Sequence, residues 1–80
     1  MKHAREDYNR IQDPAGLIGE DEPVFLLRAK DKTAPNIVRK WAMEQVNQGS
    51  EDPCIEVALK WADVMEEWQK KNGCKLADLP

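Results

Sequence analysis

The sequence predicts a mainly α-helical protein: a two-helix hairpin with an N-terminal helical or extended arm and room for one short strand, completed by oligomerisation. Residues 33–48 and 52–72 both space their apolar residues at helical intervals between start and stop signals. A chain of 80 residues buries only about 60% of its unfolded surface, and association is a standard remedy. We therefore expect a single small domain over residues 1–80.

Residues 1–19 form the predicted arm and loop. Ala4, Tyr8 and Ile11 share a helical face at spacings of four and three, which is a weak helical pattern. Asp13 precedes Pro14 and is therefore pushed out of the helical region, which ends the pattern. A glycine-containing loop follows up to residue 19.

Residues 20–32 are predicted to be extended. Three acids and Pro23 precede Val24-Phe25-Leu26-Leu27, a short apolar run that favours a strand without excluding a short helix. A strand needs a ladder partner, and the sequence offers no convincing second strand. The partner expected from the sequence is the same segment of a second copy.

The helix over residues 33–48 is bounded by clear signals. Thr33 is a candidate N-cap, Pro35 is tolerated in the first turn, and the residues up to Gly49 supply the stop. Its apolar residues share one face, as an amphipathic helix requires. They are Ala34, Ile37, Val38, Trp41 and Ala42.

The helix over residues 52–72 is predicted to begin with Asp52 as N-cap and Pro53 in its first position, and to end at Gly73. Residues 73–80 are a predicted tail, with Leu76 and Leu79 packing back. Cys54 and Cys74 are expected to stay reduced, Cys54 as a small core residue, because a helix between them holds them about 30 Å apart.

This second helix carries an apolar arc of roughly 220° at about 100° per residue. Cover by the rest of the chain, self-association and a different protein partner are the three alternatives, and self-association is favoured because so little chain remains to cover the arc. Tryptophan suits such an interface. The candidate interface residues are Leu59, Trp61, Val64, Met65 and Trp68, with Phe25 from the extended segment.

Composition excludes several functions. A net charge of -3 argues against general nucleic-acid binding, and no apolar run approaches the roughly 20 residues of a membrane span. Two cysteines and a single histidine, His3, are too few for a zinc site and supply no convincing nucleophile and base. We expect no metal, no cofactor and no enzymatic activity, and a cytoplasmic location.

A basic cluster stands out against this acidic background. It flanks the start of the helix at residue 33, where free backbone N–H groups and the helix dipole attract anions. The alternative is that these groups neutralise the acids at residues 20–22 or are simply solvated. The candidate ligand-binding residues are Arg28, Lys30, Lys32, Thr33 and Arg39.

The chain resembles small uncharacterised bacteriophage and prophage proteins over about three quarters of its length. The resemblance lies in EDEPVFLLRAKDK at residues 20–32, in AP, VR and WA up to Ala42, in DVMEEWQ at residues 63–69, and in the closing LADLP. It brings no known active site.

The resemblance implies a phage-type accessory protein that binds something in the bacterial host. Two mechanisms are open. In the first, which we favour slightly from the sequence, a homo-oligomer sequesters an anionic nucleotide-like defence signal with the basic cluster. In the second, the apolar helix docks on a host protein as an inhibitor or adaptor.

Overall fold

The computed structural model describes residues 2–3 and 13–76 and confirms the mainly α-helical hairpin. Helix α1 (Ala34–Asn47) and helix α2 (Cys54–Asn72) pack against each other. Strands β1 (Lys2–His3) and β2 (Pro23–Val24) form a two-stranded parallel ladder.

The ladder partner of the Val24 segment lies in the same chain. Lys2 pairs with Pro23 and His3 with Val24, so the expected pairing with a second copy is wrong. The strand is also shorter than predicted, and Phe25, just after it, is 74% exposed. The rest of the predicted N-terminal helix, with Ala4, Tyr8 and Ile11, lies outside the described residues.

The start of α1 differs from the prediction. The Thr33 hydroxyl donates to Asp31 Oδ1 over 2.8 Å, and the Thr33 amide donates to the same oxygen over 2.9 Å. Thr33 therefore makes no side-chain cap on the helix. Its hydroxyl is held by the preceding turn, which is a common alternative for a short polar side chain.

Helix α2 begins at Cys54, one residue after the predicted first position at Pro53, and Asp52 still makes a hydrogen bond at its start. Asp52 Oδ1 accepts a 2.8 Å hydrogen bond from the Cys54 amide, and this bond lowers the pKa of the Asp52 carboxyl. Gly73 ends the helix with φ of 79°, a conformation that suits glycine. Cys54 is exposed, so its assignment to the core is wrong.

The two helices meet through small residues. Ala34, Ala42 and Ala62 are fully buried, and Ile55 and Met65 are each 8% exposed. Alanines at the contact allow the helix backbones to approach closely, while the two larger side chains fill the remaining space. Among the residues that the structure describes, no large side chain is fully buried, so the hairpin has a thin core.

The segment after α2 is held by its backbone. Lys32 N donates to Lys75 O over 2.8 Å and Lys75 N donates to Lys30 O over 2.9 Å. This bridge fixes the turn before α1 beside the end of α2. Leu76 is 68% exposed and does not pack back as expected, while Leu79 lies outside the described part of the chain.

Gln69 of α2 holds the turn before α1 in place through two hydrogen bonds. Replacing Gln69 by glutamate should weaken the attachment of this turn to α2. Gln69 Nε2 donates to the carbonyl oxygens of Ala29 and Asp31, both over 2.9 Å. Glutamate removes both donors and points a carboxylate at two carbonyls, at a cost of about 2 kcal/mol. Amide exchange at Lys32 and Lys75 should accelerate, and less so in Gln69→Ala, where no charge is added. Unchanged exchange in both variants would contradict this role.

Candidate interaction surface

One stripe of α2 presents large apolar side chains to solvent. Trp61 is 58% and Trp68 40% exposed, while Val57 and Val64 are 62% and 49% exposed. They follow one another at intervals of four, three and four residues, which places them in a line along the helix. We call these four residues the tryptophan stripe. Exposed side chains of this size in a contiguous line mark an interaction surface.

The stripe lies on one flank of the hairpin. The residues of α2 buried against α1 centre on Ala62, and at about 100° per residue the stripe is centred roughly 120° away. Ile37 and Trp41 of α1 are 43% and 47% exposed and lie on the same flank by the same construction. The apolar surface therefore continues from α2 onto α1.

This apolar surface is larger than an ordinary exposed patch. A tryptophan buries about 200 Å² when fully covered, so the exposed fractions of Trp41, Trp61 and Trp68 amount to about 300 Å² of indole surface. The valines and Ile37 add to this. The total exceeds the few hundred Å² of contiguous apolar surface that soluble monomers usually expose, and is smaller than the roughly 800 Å² that each partner contributes to a standard protein interface.

The opposite flank is closed by Arg39. Its guanidinium meets Glu66 through two contacts, Nη1 to Oε1 at 2.8 Å and Nη2 to Oε2 at 3.1 Å. Nη2 also reaches Asp63 Oδ1 at 2.8 Å, and Nη1 donates to Asn36 Oδ1 at 3.0 Å. The fork geometry matches the bidentate pairing that arginine favours. Arg39 therefore clamps α1 to the polar edge of α2.

The clamp shifts the pKa of both partners. The hydrogen bond to Glu66 is the main cause that raises the Arg39 pKa, with the Asp63 bond second. Conversely, the hydrogen bond from Arg39 lowers the pKa of the Glu66 carboxyl below its ordinary value of 4.5. Both shifts favour the charged pair.

Acid should release the clamp. Because the folded pKa of Glu66 is depressed, its contribution to stability is present above 4.5 and is lost as the pH falls through the folded pKa. As the pH falls below 4.5, the melting temperature of the wild type should therefore drop more steeply than that of Glu66→Gln, measured by circular dichroism. Glu56→Gln, in the exposed first turn of α2, should keep the wild-type slope. Equal slopes in all three proteins would contradict the clamp.

The residues of the predicted basic site lie partly in the segment before α1 and partly in α1 itself. Arg28, Lys30 and Lys32 lie in the segment leading into α1, with Thr33 bound to the Asp31 carboxylate. Arg39 lies on the clamped flank, away from the tryptophan stripe.

The predicted interface residues also separate. Trp61, Val64 and Trp68 lie on the stripe, and Phe25 is exposed in the extended segment. Met65 is 8% exposed and belongs to the hairpin core, and Leu59 is half-buried toward the same side. Val57 of α2 and the α1 residues Ile37 and Trp41 were not predicted as interface residues. For Val57 a signal was available, because the intervals of three and four residues from Val57 to Trp68 indicate the stripe.

Comparisons with known proteins find no relative of this chain. No family model, no curated protein and no solved structure matches the chain. Within residues 2–3 and 13–76, neither helix is long and apolar enough to cross a membrane. The same residues contain no group of three or more side chains suited to hold a metal ion.

Proposed function

We propose that this chain is a small non-enzymatic interaction protein that binds another polypeptide through its tryptophan-bearing flank. The observation that carries the proposal is the exposure of three tryptophans, between 40% and 58% each, on one side of a two-helix hairpin. Tryptophan is enriched at the energetic centres of protein interfaces because it brings a large rigid area and a single N–H donor.

A polypeptide partner is favoured over the anionic nucleotide that the basic cluster first suggested. The Arg39 guanidinium contacts two carboxylates and one amide oxygen of its own chain. Asp31, which precedes α1, adds a carboxylate beside the start of that helix. A phosphate at this end would meet like charge and would compete with an established ion pair for Arg39.

The proposed setting is the one that the sequence resemblance implies. The chain acts in the cytoplasm of a bacterial host as a phage-type accessory protein, with its apolar flank as the working surface. Docking on a host protein makes it an inhibitor or adaptor. Sequestration of a nucleotide by an oligomer remains the competing function.

Two measurements on one preparation separate these functions. The first is a thermal-shift screen of cyclic and linear nucleotides. A ligand that binds only the folded state raises the melting temperature by mass action. A protein that does not bind nucleotides should therefore show no stabilisation. A shift that Arg28→Ala abolishes would overturn the proposal in favour of sequestration.

The second measurement is binding of host proteins to the immobilised chain. Protein retained by the wild type and by Glu56→Gln, and lost with Trp61→Lys, supports docking on the tryptophan stripe. Glu56→Gln is the matched control because Glu56 lies on the same helix in its exposed polar face. Retention that is insensitive to Trp61→Lys would count against the stripe as the binding surface.

A further inference from the structure

The tryptophan stripe extends into a longer repeat along α2. Cys54 precedes it by three residues and Lys71 follows it by three, so positions 54, 57, 61, 64, 68 and 71 alternate intervals of three and four. This spacing is that of helices that pack lengthwise on one another through alternating a and d positions. All six positions are exposed in α2.

We propose that the stripe is covered by α2 of a second copy of this chain, running antiparallel. This inference rests on the proposed function and names the polypeptide that covers the stripe in the free protein, before a host protein binds there. Three features of α2 favour a second copy in this orientation: the order of large and small residues, the charges beside the stripe, and the character of its two ends.

Large and small side chains alternate along the stripe in a self-complementary order. An antiparallel arrangement centred between Trp61 and Val64 places Trp61 opposite Val64 of the second copy. It also places Val57 opposite Trp68 of the second copy. Each indole thus meets a small side chain, which interdigitated packing favours. A parallel arrangement would set Trp61 against Trp61 and Val64 against Val64. The tryptophan layers would then be overcrowded, and the valine layers would leave space unfilled.

The charged residues beside the stripe match in the same orientation. Lys60 and Glu67 each precede a tryptophan by one residue, which is the flanking position whose charges set partner orientation in paired helices. In the antiparallel arrangement Lys60 lies beside Glu67 of the second copy, and the twofold axis repeats the pair. In the parallel arrangement they would face Met65 and Asn72, which carry no charge.

The two ends of the stripe also fit each other. Lys71 lies opposite Cys54 of the second copy, so its aliphatic stem covers that end of the stripe while the ammonium group extends toward the acidic residues Glu51 and Asp52. The negative charges at one end of α2 thus meet the basic end of the other copy. Opposed helix dipoles add to this preference.

A charge-reversal cycle tests the arrangement directly. We expect sedimentation to give a concentration-dependent dimer for the wild type, and Lys60→Glu or Glu67→Lys alone to raise the dimer dissociation constant about tenfold at low salt, because two symmetric pairs become repulsive. The double variant Lys60→Glu with Glu67→Lys should restore wild-type affinity. Both substituted positions are exposed, and circular dichroism checks that each of the three variants folds.

Each outcome decides the proposal. A wild type that stays monomeric up to about 1 mM overturns it, as does a dimer that the single reversals do not weaken or that the double reversal does not restore. Rescue supports the antiparallel pairing, because positions 60 and 67 within one helix are separated by two turns, about 10 Å of rise, and cannot repair each other.

Oxidation of Cys54 gives an independent check of orientation. In a Cys74→Ser background, the antiparallel dimer holds the two Cys54 residues about 25 Å apart, well beyond disulfide reach. Mild oxidation should therefore leave the dimer without a disulfide, whereas rapid and complete cross-linking through Cys54 would establish the parallel arrangement and overturn ours.

Failure of this inference is distinct from failure of the proposed function. A monomeric wild type removes the second copy as occupant, while retention of a host protein that depends on Trp61 would keep the function. A rise in melting temperature with nucleotides that is lost in Arg28→Ala would contradict the proposed function, whether the chain is a monomer or a dimer.

Discussion

Replacement of Ala62 by leucine is expected to remove more than half of the protein's stability. Ala62 is fully buried at the centre of the contact between α1 and α2, where the alanine side chain sets the distance between the helices. Three additional heavy atoms force the helices apart, at a cost of about 3 kcal/mol. A small domain has only about 5 kcal/mol to lose, so the thermal midpoint should fall sharply.

The matched control places the same new side chain elsewhere on the same helix. Glu56→Leu adds a leucine at an exposed position and should change the free energy of unfolding by no more than about 0.5 kcal/mol. Urea unfolding followed by circular dichroism measures both. An Ala62→Leu variant as stable as the wild type would mean that the two helices do not pack through their alanines.

Replacement of Trp61 by lysine is expected to separate association from folding. Trp61 is 58% exposed and is not one of the buried core residues, so the hairpin keeps its core. The lost indole and the charge placed opposite Val64 of the second copy should raise the dimer dissociation constant by at least about a hundredfold. Light scattering reports the association, and circular dichroism reports the fold.

Met65 provides the comparison for this prediction. It lies four residues along the same helix but is only 8% exposed, so Met65→Lys places a charge in the hairpin core at a cost of several kcal/mol. We expect Met65→Lys to unfold the monomer and Trp61→Lys to leave it folded. If both variants unfold together, the stripe belongs to the core and not to an interface.

The helices were predictable because their signals are local. Asp52 and Gly73 mark the two ends of α2 in the sequence, and both act there in the structure. Helical periodicity also placed the apolar residues correctly relative to one another. It does not fix which part of a wide apolar arc faces the neighbouring helix, and for that reason Cys54 was assigned to the core and Met65 to the interface.

The remaining differences arise from contacts between distant residues. Arg39 seemed available for an anion because its partners Asp63 and Glu66 lie 24 and 27 residues further along the chain. The partner of β2 was missed because Lys2–His3 is a two-residue strand without an apolar pattern. A local pattern contains no information about either pairing.

The mass of the chain in solution tests the central claim that a second copy covers the tryptophan stripe. In sedimentation equilibrium from about 1 µM to about 1 mM, the wild type should rise from the 9.2 kDa of one chain to twice that mass. Trp61→Lys should remain at the mass of one chain throughout. A wild type that stays at 9.2 kDa over the whole range would contradict the claim.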